Sequence, residues 1–240
     1  MEFDEFVKKI NDYLVEIQIE LTDKQLTQFY NYMNLLIEWN RKINLTTIIE
    51  PEEIILKHFV DSIIISKYIE NDLKVIDVGT GAGFPGIPLK IIRGDLDIVL
   101  LDSLNKRINF LNEVIKELQL KNVYSIHARV EEFAKNKKYR ESFDIVTSRA
   151  VANMSTLSEY MLPLSIVGGK MLAMKGPDFK DEITNSKKAL NILGGEIEKI
   201  DEYLLPKTDI RRSVIVIRKI KSTPQKFPRK PGTPAKEPLI

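Results

Sequence analysis

At 240 residues, 43% hydrophobic and 29% charged, the chain has the mass for one full α/β domain with a modest extension and a real core. The absence of cysteine excludes disulfides, thiolate nucleophiles and Cys-ligated zinc, and with only two histidines, His58 and His127, no metal site is expected. No apolar run approaches the ~20 residues that span a bilayer, and the start, with Glu2, Asp4 and Glu5, is unlike a signal peptide, so a cytoplasmic protein with no membrane partner is expected.

The net charge of +2 hides an uneven distribution. Residues 1–72 carry 7 Lys/Arg against 14 Asp/Glu, residues 73–202 carry 19 against 18, and residues 203–240 carry 10 against 2. A basic C-terminal region suits a polyanion partner, because Lys and Arg gain affinity by neutralising phosphates. It also suits a solvated tail, and charge alone does not separate the two.

In chain order, residues 1–72 read as a helical extension. Phe3, Phe6, Val7, Ile10, Tyr13, Leu14 and Ile17 recur at helical spacing. Thr22 is a predicted N-cap with Gln25 as its capping-box partner, and Leu26, Phe29, Tyr30, Met33, Leu36 and Ile37 share a face of the helix it opens. A third helical stretch is expected near Pro51 to Tyr68. Residues 73–220 alternate strand and helix: strands are predicted at Lys74–Val78, Asp97–Leu101, Val123–Ile126, Phe143–Thr147, Gly169–Met174, Ile197–Leu204 and Ser213–Arg218. Such alternation implies a mostly parallel, doubly wound sheet. No helix separates the last two strands, so they should pair antiparallel. Seven strands ending in such a pair point to a class I S-adenosylmethionine-dependent methyltransferase fold. Residues 221–240 contain five prolines and form a basic tail that should be extended.

The central motif is Asp77-Val78-Gly79-Thr80-Gly81-Ala82-Gly83, between a predicted strand and a predicted helix, as in a nucleotide-binding loop. Asp102, at the tip of the next strand, is placed to accept the hydroxyls of a ribose. Gly81 to Gly86 also fits the dinucleotide fingerprint, so an NAD-dependent oxidoreductase stays open. Against it, Pro85 and Pro88 remove N–H donors that a diphosphate would use. No His or Cys stands ready for hydride chemistry, and Asp77 precedes the glycines where it can order the loop or meet an amine.

The run Asp77 to Leu89, with Phe84-Pro85-Gly86 after the glycines, resembles the small-subunit ribosomal RNA guanine-N7 methyltransferase family, methyltransferase G, long called glucose-inhibited division protein B. Further stretches agree: Trp39-Asn40 with Asn44-Leu45-Thr46-Thr47-Ile48, His58-Phe59-Val60-Asp61-Ser62, Thr147-Ser148-Arg149-Ala150-Val151, and Phe227-Pro228-Arg229-Lys230-Pro231-Gly232-Thr233-Pro234-Ala235-Lys236. The resemblance covers essentially the whole chain. It implies S-adenosylmethionine as cofactor and methyl transfer to N7 of a guanosine in the 530 loop of 16S ribosomal RNA, on the small ribosomal subunit or its precursor. By match to the family pattern, Gly79, Phe84, Val130, Glu131 and Arg149 should line the cofactor pocket, beside Gly81 and Asp102 from the loop argument. The family's usual Gly-Arg-Ala-Glu is here Ala128-Arg129-Val130-Glu131, and Phe227 stands where tyrosine is common.

Guanine N7 has an in-plane lone pair and no proton, so in-line attack on a sulfonium methyl needs positioning and charge support rather than a base. Cations that can bond guanine O6 are the expected helpers. Arg149 and Lys175 are the catalytic candidates, with Arg129 and Arg212 behind them. His58 and His127 are read as structural histidines, Asp61-Ser62 as a helix-packing pair, Trp39 as core, and the tail as an RNA contact. Nothing demands more than a monomer. Two other readings remain: a methyltransferase acting on another RNA base, and a non-catalytic ribosome-assembly factor.

Overall fold

The computed structural model describes residues 1–149 and 152–240. Helix α1 (Phe3–Leu14) ends in a tight turn at Val15–Ile17, and α2 (Asp23–Ile43) starts on a full capping box. Thr22 Oγ1 accepts from the Gln25 N–H at 3.3 Å, and the Gln25 side-chain oxygen accepts from the Thr22 N–H at 2.9 Å. The third stretch is helical but changes pitch. It runs through α3 (Pro51–Ile54), a π-helical turn over Ile55–Val60, α4 (Asp61–Ile63) and a 3₁₀ turn over Ile64–Tyr68.

The remaining elements are β1 (Lys74–Val78), α5 (Gly86–Ile92), β2 (Asp97–Asp102), α6 (Asn105–Glu117), β3 (Val123–His127), α7 (Val130–Phe133), β4 (Phe143–Arg149), α8 (Met154–Met161), β5 (Ser165–Lys175), α9 (Lys180–Leu193), β6 (Gly195–Leu204), β7 (Arg211–Lys219) and α10 (Thr233–Lys236). The seven strands form one sheet of order β3-β2-β1-β4-β5-β7-β6. β1 to β5 pair parallel, and β7 pairs antiparallel with both β5 and β6. The antiparallel final pair is as expected. The sequence did not place β7 inside the sheet, although Val214-Ile215-Val216-Ile217 carries the reason: a strand covered on both faces reads as an unbroken apolar run.

Alternate residues of the strands feed two cores. Val75, Ile98, Leu100, Ile145, Leu172, Val214 and Val216 pack with the N-terminal helices, α5 and α6. Ile76, Val78, Val146, Met171, Ala173, Ile215 and Ile217 pack with α8, α9 and Phe227. The N-terminal helices therefore share a core with the sheet through Phe6, Phe29, Tyr32, Leu36 and Phe59, all 0% exposed. Truncating one of those aromatics to Ala costs ~3–5 kcal/mol.

The extended tail requires a correction. Residues 221–232 form no regular element, but Thr233–Lys236 close a helical turn, and the segment is fastened rather than solvated. Phe227 is buried, Arg140 donates to the carbonyls of Phe227 and Thr223 at 2.8 Å each, and Thr156 Oγ1 donates to the Pro234 carbonyl at 3.0 Å. Arg229 grips the buried carboxylate of Glu159 through Nε at 3.0 Å and Nη2 at 2.7 Å. Among the described residues, no helix is long and apolar enough to cross a membrane.

Candidate active site

The carboxyl ends of β1, β2 and β4 converge on a cavity of about 440 Å³ lined by Gly79, Thr80, Gly81, Ala82, Phe84, Asp102, Arg107, Arg149 and, from the N-terminal region, Leu45, Thr46 and His58. This is the crevice where open α/β sheets bind ligands. The glycine loop reaches it by two tight approaches. Gly83 has φ +101°, and a Cβ there would lie 2.7 Å from Ile87 Cγ1 and Tyr32 Oη. A Cβ at Gly86 would lie 2.2 Å from Leu100 Cδ2, so the first turn of α5 can rest on the sheet only without a side chain at that position.

The loop's N–H groups are largely spent on the protein. Gly79 and Thr80 donate to the Leu101 carbonyl, Gly81 to Asp102 Oδ2 at 2.9 Å, Gly83 and Phe84 to the Thr80 carbonyl, and Gly86 to Asp77 Oδ2 at 2.9 Å. With Pro85 and Pro88 offering none, a diphosphate would meet no row of donors here. A nucleoside without phosphate loses nothing by this.

Asp77 is fully buried. Its Oδ2 also accepts from Thr80 Oγ1 at 2.6 Å, whereas Oδ1 has no partner among the described residues. Burial pushes its carboxyl up to about 6, against the hydrogen bonds from Thr80 and Gly86. An ionised carboxylate with an orphan oxygen lacks a cation, and the amino group of S-adenosylmethionine would supply one. Asp102, 2% exposed, accepts from the Gly81 and Leu104 N–H groups and from Arg107 at 3.1 Å. Ribose hydroxyls would share those oxygens. The residues present therefore fit an adenosyl group joined to an amino acid.

Arg149 closes the cavity from the end of β4. Its Nη1 donates to the Lys57 carbonyl at 2.9 Å and approaches Asp61 Oδ2 at 3.4 Å, its Nη2 donates to His58 Nδ1 at 2.9 Å, and its guanidinium lies 4.9 Å from the centre of the Phe84 ring. Burial works against the charge on Arg149, while Asp61 and Asp77 support it. Because arginine can only donate, His58 Nδ1 is the acceptor, and the imidazole proton sits on Nε2, 2.9 Å from Thr46 Oγ1. Burial, with Arg149 alongside, lowers His58 to about 3, so the ring is neutral. It stacks on Phe84 with centres 4.3 Å apart. The π-helical turn puts the Lys57 carbonyl and the His58 ring on Arg149 together; such wide turns recur at functional sites. Asn40 holds the opposite partner, its Oδ1 accepting from the Leu45 and Thr46 N–H groups at 2.5 and 2.8 Å.

Across His58 and Arg149 lies a second cavity of about 290 Å³, lined also by Ile48, Lys57, Asp61, Met174, Lys175, Gly176 and Arg212. Lys175 reaches its wall, but its ammonium is engaged by Glu182 at 2.7 Å and by the Ala152 carbonyl. Arg212 is less committed, with Nε 3.5 Å from Asp61 and Nη1 3.1 Å from the Arg211 carbonyl. Asp61 is 2% exposed; burial raises its carboxyl against the pull of Arg149 and Arg212, and Tyr203 donates to its Oδ1 at 3.3 Å. A third cavity of about 330 Å³ shares Gly79 and Asp102 with the first and adds Arg129, Val130, Glu131, Tyr160, Gly232 and Ala235.

The structure thus brings Gly79, Gly81, Phe84, Asp102 and Arg149 to one cavity, Val130 and Glu131 to its neighbour, and Lys175 to the cavity on the other side. His58 and Asp61, set aside from sequence as structural, lie on these walls, and Tyr32 donates to the Ala82 carbonyl beneath the loop. His127 instead pairs at 3.0 Å with the Ser103 carbonyl and stays exposed. Trp39 packs on Phe110. Ala150 and Val151, part of the Thr147–Val151 motif, lie outside the described residues.

Comparison with known proteins agrees with this architecture. A family profile described as rRNA small subunit methyltransferase G matches residues 25–211. Ribosomal RNA small subunit methyltransferase G of Clostridium novyi (strain NT) is 53% identical over 226 residues, covering 93% of each chain. The protein of the same name from Acetivibrio thermocellus is 53% identical over 241 residues, covering 98% of this chain and 99% of its own. Among solved structures, a SAM-dependent methyltransferase from Aquifex aeolicus superposes with TM-score 0.51 at 19% identity, over 70% of this chain and 93% of its own. P. horikoshii TYW2 in complex with MeSAdo superposes with TM-score 0.53 at 13% identity, over 68% and 62%. Such distant likenesses establish the fold alone, that of class I S-adenosylmethionine-dependent methyltransferases.

Proposed function

The chain belongs to the rRNA small subunit methyltransferase G family, and from that premise we propose that it transfers a methyl group from S-adenosylmethionine to N7 of a guanosine in the 530 loop of 16S ribosomal RNA. The observation that carries the reading is the junction of two cavities across Arg149 and His58: one fitted to an adenosyl amino acid, the other walled by Asp61, Lys175 and Arg212. The enzyme acts as a monomer in the cytoplasm, on the small subunit or its precursor.

Asp77 would hold the amino group of the donor, Asp102 the ribose, and the β2–β3 side the adenine. Bound there, S-adenosylmethionine supplies an electrophilic methyl on a sulfonium. Transfer of that methyl to N7 would release no proton, so the chain needs no general base. Neutral His58 adds no positive charge beside a cationic donor. Arg149 and Arg212, on the walls of the second cavity, are the cations that would donate to O6, the acceptor next to N7. Asp61 has the sign needed to meet the positive charge that arrives on the base.

The test is transfer of labelled methyl to small subunits purified from cells lacking this gene, with N7-methylguanosine mapped by chemical cleavage. A single new modified guanosine in the 530 loop is expected. Methylation at another base or another RNA would replace the substrate, and no transfer to subunits, precursors or free RNA, despite tight cofactor binding, would leave an assembly factor on a methyltransferase fold.

A further inference from the structure

We propose that residues 229–235 are the outer wall of the pocket for the adenosine half of the methyl donor, and that Glu131 is the positioning residue that fastens this wall. The inference rests on the donor named above but not on which base is methylated. The third cavity has strand tips on one side, with Val78, Leu101 and Asp102, and the chain's own C-terminal segment on the other, with Gly232 and Ala235. Val130 and Tyr160 complete an apolar slot with a carboxylate at one end, which suits a purine face leading to a ribose.

The wall is built rather than merely near. Glu131, 5% exposed and on the slot's lining, accepts the Gly232 N–H on Oε1 at 2.9 Å and so joins the two sides of the slot. Two residues away Thr156 holds the Pro234 carbonyl, and on the other side Arg229 is spent on Glu159. Gly232 adopts φ +83°, so the turn that offers its N–H to Glu131 is one other residues adopt only with strain. A slot of about 330 Å³ beneath a segment tied down at three points has the size and the mainly apolar lining that a nucleoside needs. Lys230 and Lys236 stay exposed, so of the tail's charges Arg229 fastens the segment while these two lysines remain available to a polyanion.

The experiment is calorimetric binding of S-adenosylhomocysteine and of 5′-methylthioadenosine, which keeps the adenosyl half and lacks the amino acid, to the full chain and to Gly232→Ala and Glu131→Ala. A Cβ at Gly232 meets nothing within 4 Å, so this variant strains the turn without a clash. Each variant should weaken both ligands about tenfold and by equal factors, the double variant by little more than either single one, while affinity for small subunits is unmoved. Unchanged nucleoside binding overturns the proposal, and with weakened subunit binding it makes the segment an RNA contact. Loss of S-adenosylhomocysteine affinity without loss for methylthioadenosine also overturns it, by moving the contact to the amino-acid end. Arg229→Lys, which keeps the charge but not the forked contact, is the second variant should Glu131→Ala fail to fold, and the same equal loss is expected.

Discussion

The two walls of the cleft are made differently. On the sheet side, Asp77, the glycine loop and Asp102 lie within 26 residues of one another and bond mainly to their own backbone neighbours. On the helical side, Lys57, His58 and Asp61 are held by the guanidinium of Arg149, some 90 residues further along the chain, and Thr46 pairs with the far nitrogen of His58. A wall of short-range contacts is prepared by the fold and can wait for its ligand. A wall of long-range side-chain contacts exists only once two distant segments have met. The comparison implies that the first wall governs donor affinity and the second governs turnover.

Removing the residue that spans both walls has the largest expected effect. Arg149→Ala leaves His58 and Asp61 without their shared donor, and kcat should fall about 100-fold or more; retained cofactor affinity together with retained turnover would remove Arg149 from the site. Asp77→Asn comes next. Loss of one charge-assisted contact to an amine should weaken S-adenosylhomocysteine by about 30- to 100-fold, while denaturant stability holds or rises, because a buried carboxylate with an orphan oxygen has gone. A change in kcat with unchanged affinity would reverse the roles of the two walls. In the wild type, that affinity should climb with pH to about 6 and then level off, as the carboxyl that must ionise does so.

His58 sharpens the comparison through stability. Its folded value near 3 lies below the ordinary 6.5, so the unfolded chain takes up a proton the folded one refuses. The stability it confers is complete above 6.5 and is lost as pH falls from there toward 3. Thermal melts of His58→Asn should show a shallower decline over that range than the wild type; parallel declines would assign the loss to carboxylates alone. Smallest is Tyr32→Phe, which strips the donor from the Ala82 carbonyl beneath the loop and should cost about 1–2 kcal/mol, read from denaturant midpoints, with a lesser change in turnover.

What was legible in the sequence follows the same division. The bounds of β1, the Thr22–Gln25 capping box and the place of Asp102 beside the glycine loop rest on local pattern, period and turn chemistry, whereas Gly79 and Phe84 are assigned to the pocket through the resemblance to the family. The place of β7 between β5 and β6 did not follow, because a hairpin signal states that two strands pair and not which of them faces the older sheet. His58 and Asp61 lie in an apolar helical stretch whose periodicity asks for burial. They are buried, and only contact with a strand from the far half of the chain turns burial into a role. The tail misled because proline and lysine content describes a solvated chain, while Phe227, Arg229 and Gly232 have partners at Arg140, Glu159 and Glu131, respectively, that composition does not reveal. Lys175 was rightly placed at a strand end, but its ion pair with Glu182, seven residues on, went unread.

The position of β7 also orders events during synthesis. β6 is made first, yet among the described residues β7 is its only partner in the sheet, and β5 keeps an open edge until the same strand is added. A growing chain that has passed β6 but not residue 219 therefore carries one orphan strand and one bare apolar edge, both prone to pairing with other chains. A stop codon falling in that interval should yield an aggregate rather than a smaller working enzyme.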